Sequence, residues 1–455
     1  MKRIIELDIE DLAYNGQAIG YDNGKVTFVK GGLPGERVRA KITKIKKKHN
    51  QAKVLEVLIK SPERIDAVCG HYEVCGGCIW QDLGYERQLF YKRNQIESCL
   101  KHIGGFDEVV IDDIHPSPEK FFYRNKMEFS FHTCAPQYST RGFLLGLHER
   151  GRFDKIFDIS DCRLQSEMSN RLVIFLREEI ERLSIPVYNL IEHHGFLRFV
   201  IFREGKNTGQ SLLVLVSGAG DFVGKEELVA SLQKEFPILT TAVWTVNDTI
   251  TNIAKGEIRE VLFGPGYIEE EVMDLRFRIS PGSFFQTNSR QAENLYRRAI
   301  ELAGLSKNDT LLDLYCGAGA IGICAAGAAG SVVGIDIEEE AIEAAIINAQ
   351  INNLDNIRFF AGPARKVLSA DPLKDMKFDV VINDPPRAGM HPKALKRLIE
   401  IDAERLVYIS CNPATFARDA AELRLAGYSL GRVTPFDMFP HTMHIELVAH
   451  FEKKG

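Results

Sequence analysis

The sequence predicts an α/β protein in which a doubly wound parallel sheet follows a small β-barrel and a mixed α+β middle. Three observations predict it. From about residue 283, strand-like and helix-like runs alternate regularly, the pattern of a parallel sheet with crossover helices. Five short β-runs with glycine-rich turns fill residues 1–60. The stretch between them mixes both patterns without a regular order. At roughly 100–200 residues per domain, a chain of 455 residues holds two to four domains. We divide it into residues 1–60, 61–270 and 271–455.

The first unit is read as strands at Ile4–Ile9, Gly16–Tyr21, Lys25–Val29, Arg37–Lys44 and Ala52–Ile59, with the turn Gly31-Gly32-Leu33-Pro34-Gly35 among them. Five strands in so short a span suit an OB-like closed barrel, a frequent binder of single-stranded nucleic acid. The tip Lys44-Ile45-Lys46-Lys47-Lys48-His49 between the last two strands suits phosphates. The net charge of −5 hides an asymmetry: residues 1–60 hold 13 Lys and Arg against 7 Asp and Glu, the remainder 44 against 55. A basic module on an acidic body points to a polyanionic partner.

The middle unit has a loop around Cys69–Cys78, a helix over Tyr85–Ile103, and strands at Tyr123–His132 and Phe143–His148. A strand pair at Phe196–Arg203 and Ser211–Val216 precedes a helix over Lys225–Glu235. Tyr123-Arg124-Asn125-Lys126-Met127-Glu128-Phe129 alternates rings with charges. It reads either as an RNA-contacting strand or as an ordinary half-buried one.

The last unit has strands at Thr310–Tyr315, Ser331–Asp336, Ile357–Ala361, Phe378–Asn383 and Leu406–Ser410. An apolar fraction of 45% with 26% charge is ordinary for a soluble globular protein. Tyr315–Ile335 carries no charge and is long enough to span a bilayer, but its six glycines favour strand, loop, helix and strand. The start, Met1-Lys2-Arg3-Ile4-Ile5-Glu6, lacks the apolar run of a leader, so a cytoplasmic location is expected. Nine cysteines in such a chain are expected to be reduced, metal-bound or catalytic.

Gly317, Gly319 and Gly322 form a G-x-G-x-x-G turn after the first parallel strand, and Asp336 follows Gly317 by nineteen residues. The motif fits NAD and S-adenosylmethionine equally. Asp313, just before the turn, would repel a dinucleotide phosphate, but suits a cofactor with an ammonium and a sulfonium. It also reads as a simple turn-capping acid. The fourth strand ends Asn383-Asp384-Pro385-Pro386-Arg387, an ending similar to methyltransferases and not to dehydrogenases.

Cys411 ends the fifth strand in Tyr408-Ile409-Ser410-Cys411-Asn412-Pro413. A cysteine there points into the ligand crevice of a parallel sheet, and Pro413 suits the first turn of a following helix. That helix start is expected to help hold a thiolate. Glu446 lies in the apolar run Ile445-Glu446-Leu447-Val448. An acid there is either paired structurally or held for chemistry, and desolvation raises the pKa of such an acid toward that of a base at work near neutrality.

Together these segments resemble the RNA 5-methyluridine (uracil-C5) methyltransferases, over nearly the whole chain. The resemblance rests on Ser283-Phe284-Phe285-Gln286-Thr287-Asn288, Asp313-Leu314-Tyr315-Cys316-Gly317, Asp384-Pro385-Pro386-Arg387, Ser410-Cys411-Asn412-Pro413 and His444-Ile445-Glu446. It implies a Rossmann-like S-adenosylmethionine-dependent methyltransferase domain, an amino-terminal TRAM barrel and an RNA partner. It implies Cys411 as nucleophile, Glu446 as base, and Gln286, Tyr315, Asp336 and Asp384 as cofactor contacts. The chemistry is coherent: thiolate addition to carbon 6 makes carbon 5 nucleophilic, and a base later removes the carbon 5 proton. Carbon 6 is reached from the ring face, so the uridine is flipped out. RNA 5-methylcytosine enzymes carry a cysteine after the proline of the fourth strand, where this chain has Arg387.

Cys69-x5-Cys75-x2-Cys78 with the distant Cys162 offers four thiolates for zinc or an iron–sulfur cubane, and spacing alone leaves zinc slightly ahead. The resemblance implies a 4Fe-4S cluster instead. Cys99, Cys134, Cys316 and Cys324 read as structural. Barrel and cluster cysteines together resemble the 23S ribosomal RNA branch more than the transfer RNA branch. Competing readings are the same chemistry on transfer RNA, a non-catalytic RNA-binding iron–sulfur protein, and a dehydrogenase.

Overall fold

The computed structural model describes residues 3–14, 16–152 and 154–453. Met1, Lys2, Asn15, Phe153, Lys454 and Gly455 lie outside the described residues, and with them the first two residues of the start read above.

Strands β1 (Ile4–Leu12), β2 (Ala18–Asp22), β3 (Lys25–Lys30), β4 (Arg37–Ile45) and β5 (Asn50–Ile59) close into a barrel in the order β1-β2-β3-β5-β4. The period of two decides which way side chains point. In β4, Val38, Ala40 and Ile42 are buried while Arg37 and Lys41 are exposed. Gly20 is required by close approach: a Cβ there would lie 2.5 Å from the Asp8 carbonyl oxygen. Lys44, Lys46, Lys47 and Lys48 are all exposed at the β4–β5 turn.

Helix α1 (Tyr85–His102) buries Gln88, Lys92, Gln95, Ile96 and Cys99, a stripe at helical spacing. The middle sheet is built from β6 (Lys126–Thr133), β7 (Phe143–His148), β8 (Ile156–Asp158), β9 (Leu197–Glu204), β10 (Ser211–Ser217), β11 (Thr241–Val246) and β12 (Glu257–Phe263). Its order is β12-β11-β10-β9-β6-β7-β8, and only β10 and β11 run parallel. Helices α2 (Glu167–Arg182) and α3 (Lys225–Glu235) share a core with one face. The other face joins the core of the last sheet, so β10 is buried throughout. Tyr123 and Phe129 lie in the α2–α3 core at 1% and 0% exposure. Their rings are unavailable to bases, and the segment is the half-buried strand rather than a stacking platform.

After the hairpin β13 (Ile268–Val272) and β14 (Leu275–Ile279) and helix α4 (Ser289–Ala303) comes the last sheet. Its strands are β15 (Thr310–Leu314), β16 (Ser331–Asp336), β17 (Ile357–Ala361), β18 (Val380–Asn383), β19 (Arg405–Ser410), β20 (Tyr428–Phe436) and β21 (Glu446–Lys453). Helices α5 (Ala320–Ala326), α6 (Glu339–Ile351), α7 (Ala364–Val367), α8 (Pro392–Ile401) and α9 (Pro413–Leu425) fall between the strands. The order is β17-β16-β15-β18-β19-β21-β20.

The parallel sheet holds for the five strands read from the sequence, β20 keeps their direction, and β21 runs the other way between β19 and β20. The physical reason is the connection from β20 to β21: a loop over residues 437–445 carries no crossover helix, so the chain doubles back. The uncharged stretch Tyr315–Ile335 is loop, α5 and β16, and among the described residues no helix is long and apolar enough to cross a membrane.

Candidate active site

The sheet order reverses between β16 and β18, on either side of β15, and ligands of such sheets bind at the carboxyl ends of the strands there. Asp313, Asp384 and Cys411 all sit at those ends. Glu446 arrives from the opposite direction. Because β21 is antiparallel, its first residue lies beside the last of β19: Leu447 pairs with Ser410, so Glu446 comes level with Cys411 one step further. A parallel final strand would have carried residue 446 to the far edge of the sheet.

The loop after β15 is bent for close approach. Tyr315 (φ 61°), Gly317 (φ 53°) and Gly319 (φ 82°) adopt the left-handed region, which is uncommon for a tyrosine and marks local strain. A Cβ on Gly317 would meet only open space. The Gly322 amide donates to Asp313 Oδ2 at 2.8 Å, while Asp313 Oδ1 is buried without a partner. Both side-chain polar atoms of Asn383 are buried and unpartnered as well. Orphaned buried groups of this kind are costly unless a ligand satisfies them. Asp336, at the end of β16, accepts from the Gly317 amide at 2.9 Å and the Glu338 amide at 3.0 Å. Gln286 is half-buried, and its carbonyl accepts from Asn125 Nδ2 at 2.8 Å. This donor and acceptor set fits S-adenosylmethionine: acids for its cationic groups and an acid for its ribose.

Burial crowds the acids. The Asp313 carboxyl is pushed up to about 8 by burial, with Asp384 and Asp336 adding to it, and Asp384 is pushed up to about 7 by burial alone. Glu446 is 6% exposed and raised well above the carboxylate range by burial, then by Asp384, with Arg387 opposing. The Cys411 thiol is pushed up to about 12 by burial, then by Glu446 and Asp384, again opposed by Arg387. This differs from the expected thiolate at a helix start. Asn412 caps α9, accepting from the Ala414 amide at 3.0 Å, with Pro413 at its first position. The local turn is as expected, but two neighbouring acids and burial outweigh the helix end.

The loop that delivers Glu446 is clamped by α1. Lys92 Nζ donates to Asp437 Oδ1 at 2.6 Å with both side chains fully buried, and Tyr85 donates to Asp437 Oδ2 at 2.9 Å. The His441 amide donates to Gln88 Oε1 at 2.9 Å. Asn383 was read only as part of a polar strand ending, without a role of its own, and this clamp went unremarked in the sequence. The signal available for Asn383 was a polar residue closing the buried run Val380-Val381-Ile382.

Cys69, Cys75, Cys78 and Cys162 line one cavity of about 800 Å³, together with Arg124, Lys126, Arg152 and Arg163. The Gly77 amide donates to Cys75 Sγ at 3.3 Å and Gln81 Nε2 to Cys78 Sγ at 3.2 Å. Among the described residues no three His, Cys, Asp or Glu side chains stand close enough to hold a single metal ion.

The family model described as tRNA (Uracil-5-)-methyltransferase matches residues 233–454, and the TRAM domain model matches residues 2–64. An uncharacterized RNA methyltransferase of Chlorobaculum tepidum is 38% identical, the match covering 99% of this chain and 96% of that protein. The chain belongs to the uracil-5 RNA methyltransferase family. An uncharacterized RNA methyltransferase of Clostridium tetani is also 38% identical, over 99% of this chain and 97% of its own length. Among solved structures, the Pyrococcus abyssi tRNA (uracil-54, C5)-methyltransferase in complex with S-adenosyl-L-homocysteine is similar, with a TM-score of 0.76 and 32% identity. That match covers 98% of this chain and 100% of the other. This RNA methyltransferase is therefore S-adenosylmethionine-dependent, with a TRAM barrel at its amino end and a mixed α/β body.

Proposed function

We propose that the enzyme methylates carbon 5 of a uridine in 23S ribosomal RNA, with Cys411 as nucleophile and Glu446 as base. The observation that carries the mechanism is the antiparallel β21, which sets Glu446 level with Cys411 beside Asp384. Gln286, Tyr315, Asp336 and Asp384 hold the cofactor, with Asp313 facing its charge. S-Adenosylmethionine supplies the methyl group and a positive sulfonium when bound. Cys411 gives up its proton to solvent and adds to carbon 6, the displaced electron pair is held as an enolate, carbon 5 takes the methyl as its bond to the sulfonium breaks, and Arg387 offsets the negative charge gathered in the pocket. Once carbon 5 carries the methyl, Glu446 takes the proton from carbon 5, and the Cys411–carbon 6 bond breaks. Glu446 has to be ionised to take that proton, and burial, by raising its pKa, makes the ionised carboxylate the stronger base.

The raised acids give a pH signature. Asp313 at about 8 and Asp384 at about 7 lose their protons as pH rises, and the carboxylates attract a cation. Affinity for S-adenosylmethionine is expected to rise severalfold between pH 6 and 9 in equilibrium titration. S-Adenosylhomocysteine, lacking the sulfonium, is expected to gain less. Equal pH profiles for the two ligands would remove Asp384 and Asp313 from the cation site.

Residues 1–60 are read as the RNA-gripping unit, 61–270 as the cluster-bearing unit and 271–455 as the transferase unit. Cys69, Cys75, Cys78 and Cys162 are assigned to a 4Fe-4S cluster. The four cysteines line one cavity, which supports a shared inorganic group there, and the choice of iron over zinc rests on the resemblance. Anaerobically purified protein is expected to hold about four irons per chain, and Cys162→Ser to lose most of them by elemental analysis. Zinc in place of iron would overturn the assignment.

A transfer RNA target is the second reading, favoured by the likeness to the Pyrococcus abyssi enzyme over the full chain. The deciding experiment supplies S-adenosylmethionine carrying a labelled methyl and unmodified 23S ribosomal and transfer RNAs, then locates the product by mass spectrometry. 5-Methyluridine in ribosomal RNA alone supports the proposal. The same product in transfer RNA alone keeps the mechanism and overturns the target. Transfer to neither sinks the proposal.

A further inference from the structure

The barrel also reaches the reacting groups. Its β1–β2 turn is held in shape by the Ala13 amide donating to the Gln17 carbonyl at 2.7 Å and the Gly16 amide to the Ala13 carbonyl at 2.8 Å. Gln95 of α1 donates to that same Ala13 carbonyl at 3.3 Å. The turn is pressed into the body of the enzyme: a Cβ on Gly16 would lie 2.4 Å from the Ile79 side chain and 3.4 Å from that of Met443. Met443 stands three residues before Glu446, in the loop that delivers it. The half-buried Tyr14 belongs to this turn. Burial first, then the Cys411 thiol, Cys99 and Glu446, push its phenol up to about 12, with Arg387 opposing. Cys411 and Arg387 follow β19 and β18 and Glu446 opens β21, and the turn that bears Tyr14 packs against the loop that leads into Glu446.

We propose that Tyr14 is a wall of the uridine pocket, inserted by the barrel so that its ring holds the flipped base over Cys411. A base taken out of its stack loses its neighbours, and an aromatic side chain replaces them. The phenol is uncharged at neutral pH, so it adds no further repulsion to a site already crowded with acids. The barrel thereby does two things at once: its lysine-rich tip faces outward to phosphates, and its opposite turn completes the site.

This inference rests on Cys411 chemistry at a uridine, and the test separates the two. 23S ribosomal and transfer RNA transcripts made with 5-fluorouridine are incubated with S-adenosylmethionine and wild-type, Tyr14→Ala, Tyr14→Phe or Cys411→Ala enzyme. Fluorine cannot leave as a proton, so the Cys411–uracil adduct persists and is read on a denaturing gel. RNA affinity is measured alongside by filter binding. Tyr14→Ala is expected to form adduct about tenfold more slowly or worse, the loss of one base stack, with RNA affinity held within about threefold. Tyr14→Phe keeps the ring and is expected to restore most of the rate. Tyr14→Ala at the wild-type rate would overturn the inference, as would a loss of rate matched by an equal loss of RNA affinity. No adduct with the wild-type enzyme would instead overturn the reading beneath it.

Discussion

Replacing Glu446 with Gln is expected to turn the enzyme into a trap for its own intermediate. Cys411 and the cofactor acids remain, so addition and methyl transfer proceed. Gln cannot take the carbon 5 proton, so the Cys411–carbon 6 bond has no route to break. Denaturing gels are expected to show a methylated RNA–protein adduct, while turnover falls by about 10²–10⁴-fold, the usual worth of a positioned base. Turnover near the wild-type rate with no adduct would remove Glu446 from the mechanism.

The same variant tests the electrostatics. Burial raises the folded-state pKa of Glu446 above its unfolded value. Such a group contributes stability that is complete below the unfolded pKa and is lost as pH rises through the folded one. Gln has no proton to lose. Glu446→Gln is therefore expected to melt higher than wild type at pH 8, with the gap shrinking toward pH 4. Activity lost and stability gained at one position is the pattern of a group kept for chemistry.

Cys411→Ala is expected to abolish transfer, by on the order of 10⁴-fold or more, because it removes the thiol proposed to add to carbon 6. The thiol is neutral at rest, pushed up to about 12, so its removal unpairs no charge. Folding and S-adenosylmethionine affinity are expected to stay at wild-type values in melting and titration experiments. Retained methylation would refute the nucleophile, whatever the fate of the other residues.

The barrel and the parallel strands were legible because their signals are local. Glycine turns, alternating burial and strand–helix alternation fix β1–β5 and β15–β19 to within a few residues. The order β12-β11-β10-β9-β6-β7-β8 was not legible, since nothing in a strand's own residues names its neighbour. The direction of β21 was lost for the same reason, although Glu446 itself stood out as an acid in an apolar run. Tyr123 and Phe129 misled because alternation of rings with charges describes a core-facing strand as well as a stacking surface. The helix start beside Cys411 was visible in sequence, whereas its burial and the nearness of Glu446 and Asp384 come only through folding.

The buried pair of Lys92 and Asp437 ties the two halves of the chain into one mechanical part. The loop that leads into Glu446, the proposed base, is braced by a helix some 345 positions upstream. Removing α1, and Lys92 with it, would strand a carboxylate in the interior, at a cost of about 3–5 kcal/mol. The last sheet is therefore no detachable cassette. Anyone grafting this chemistry onto another RNA-binding scaffold must carry α1 with it, and a lineage that lost the helix would have had to rebuild the floor of its active site.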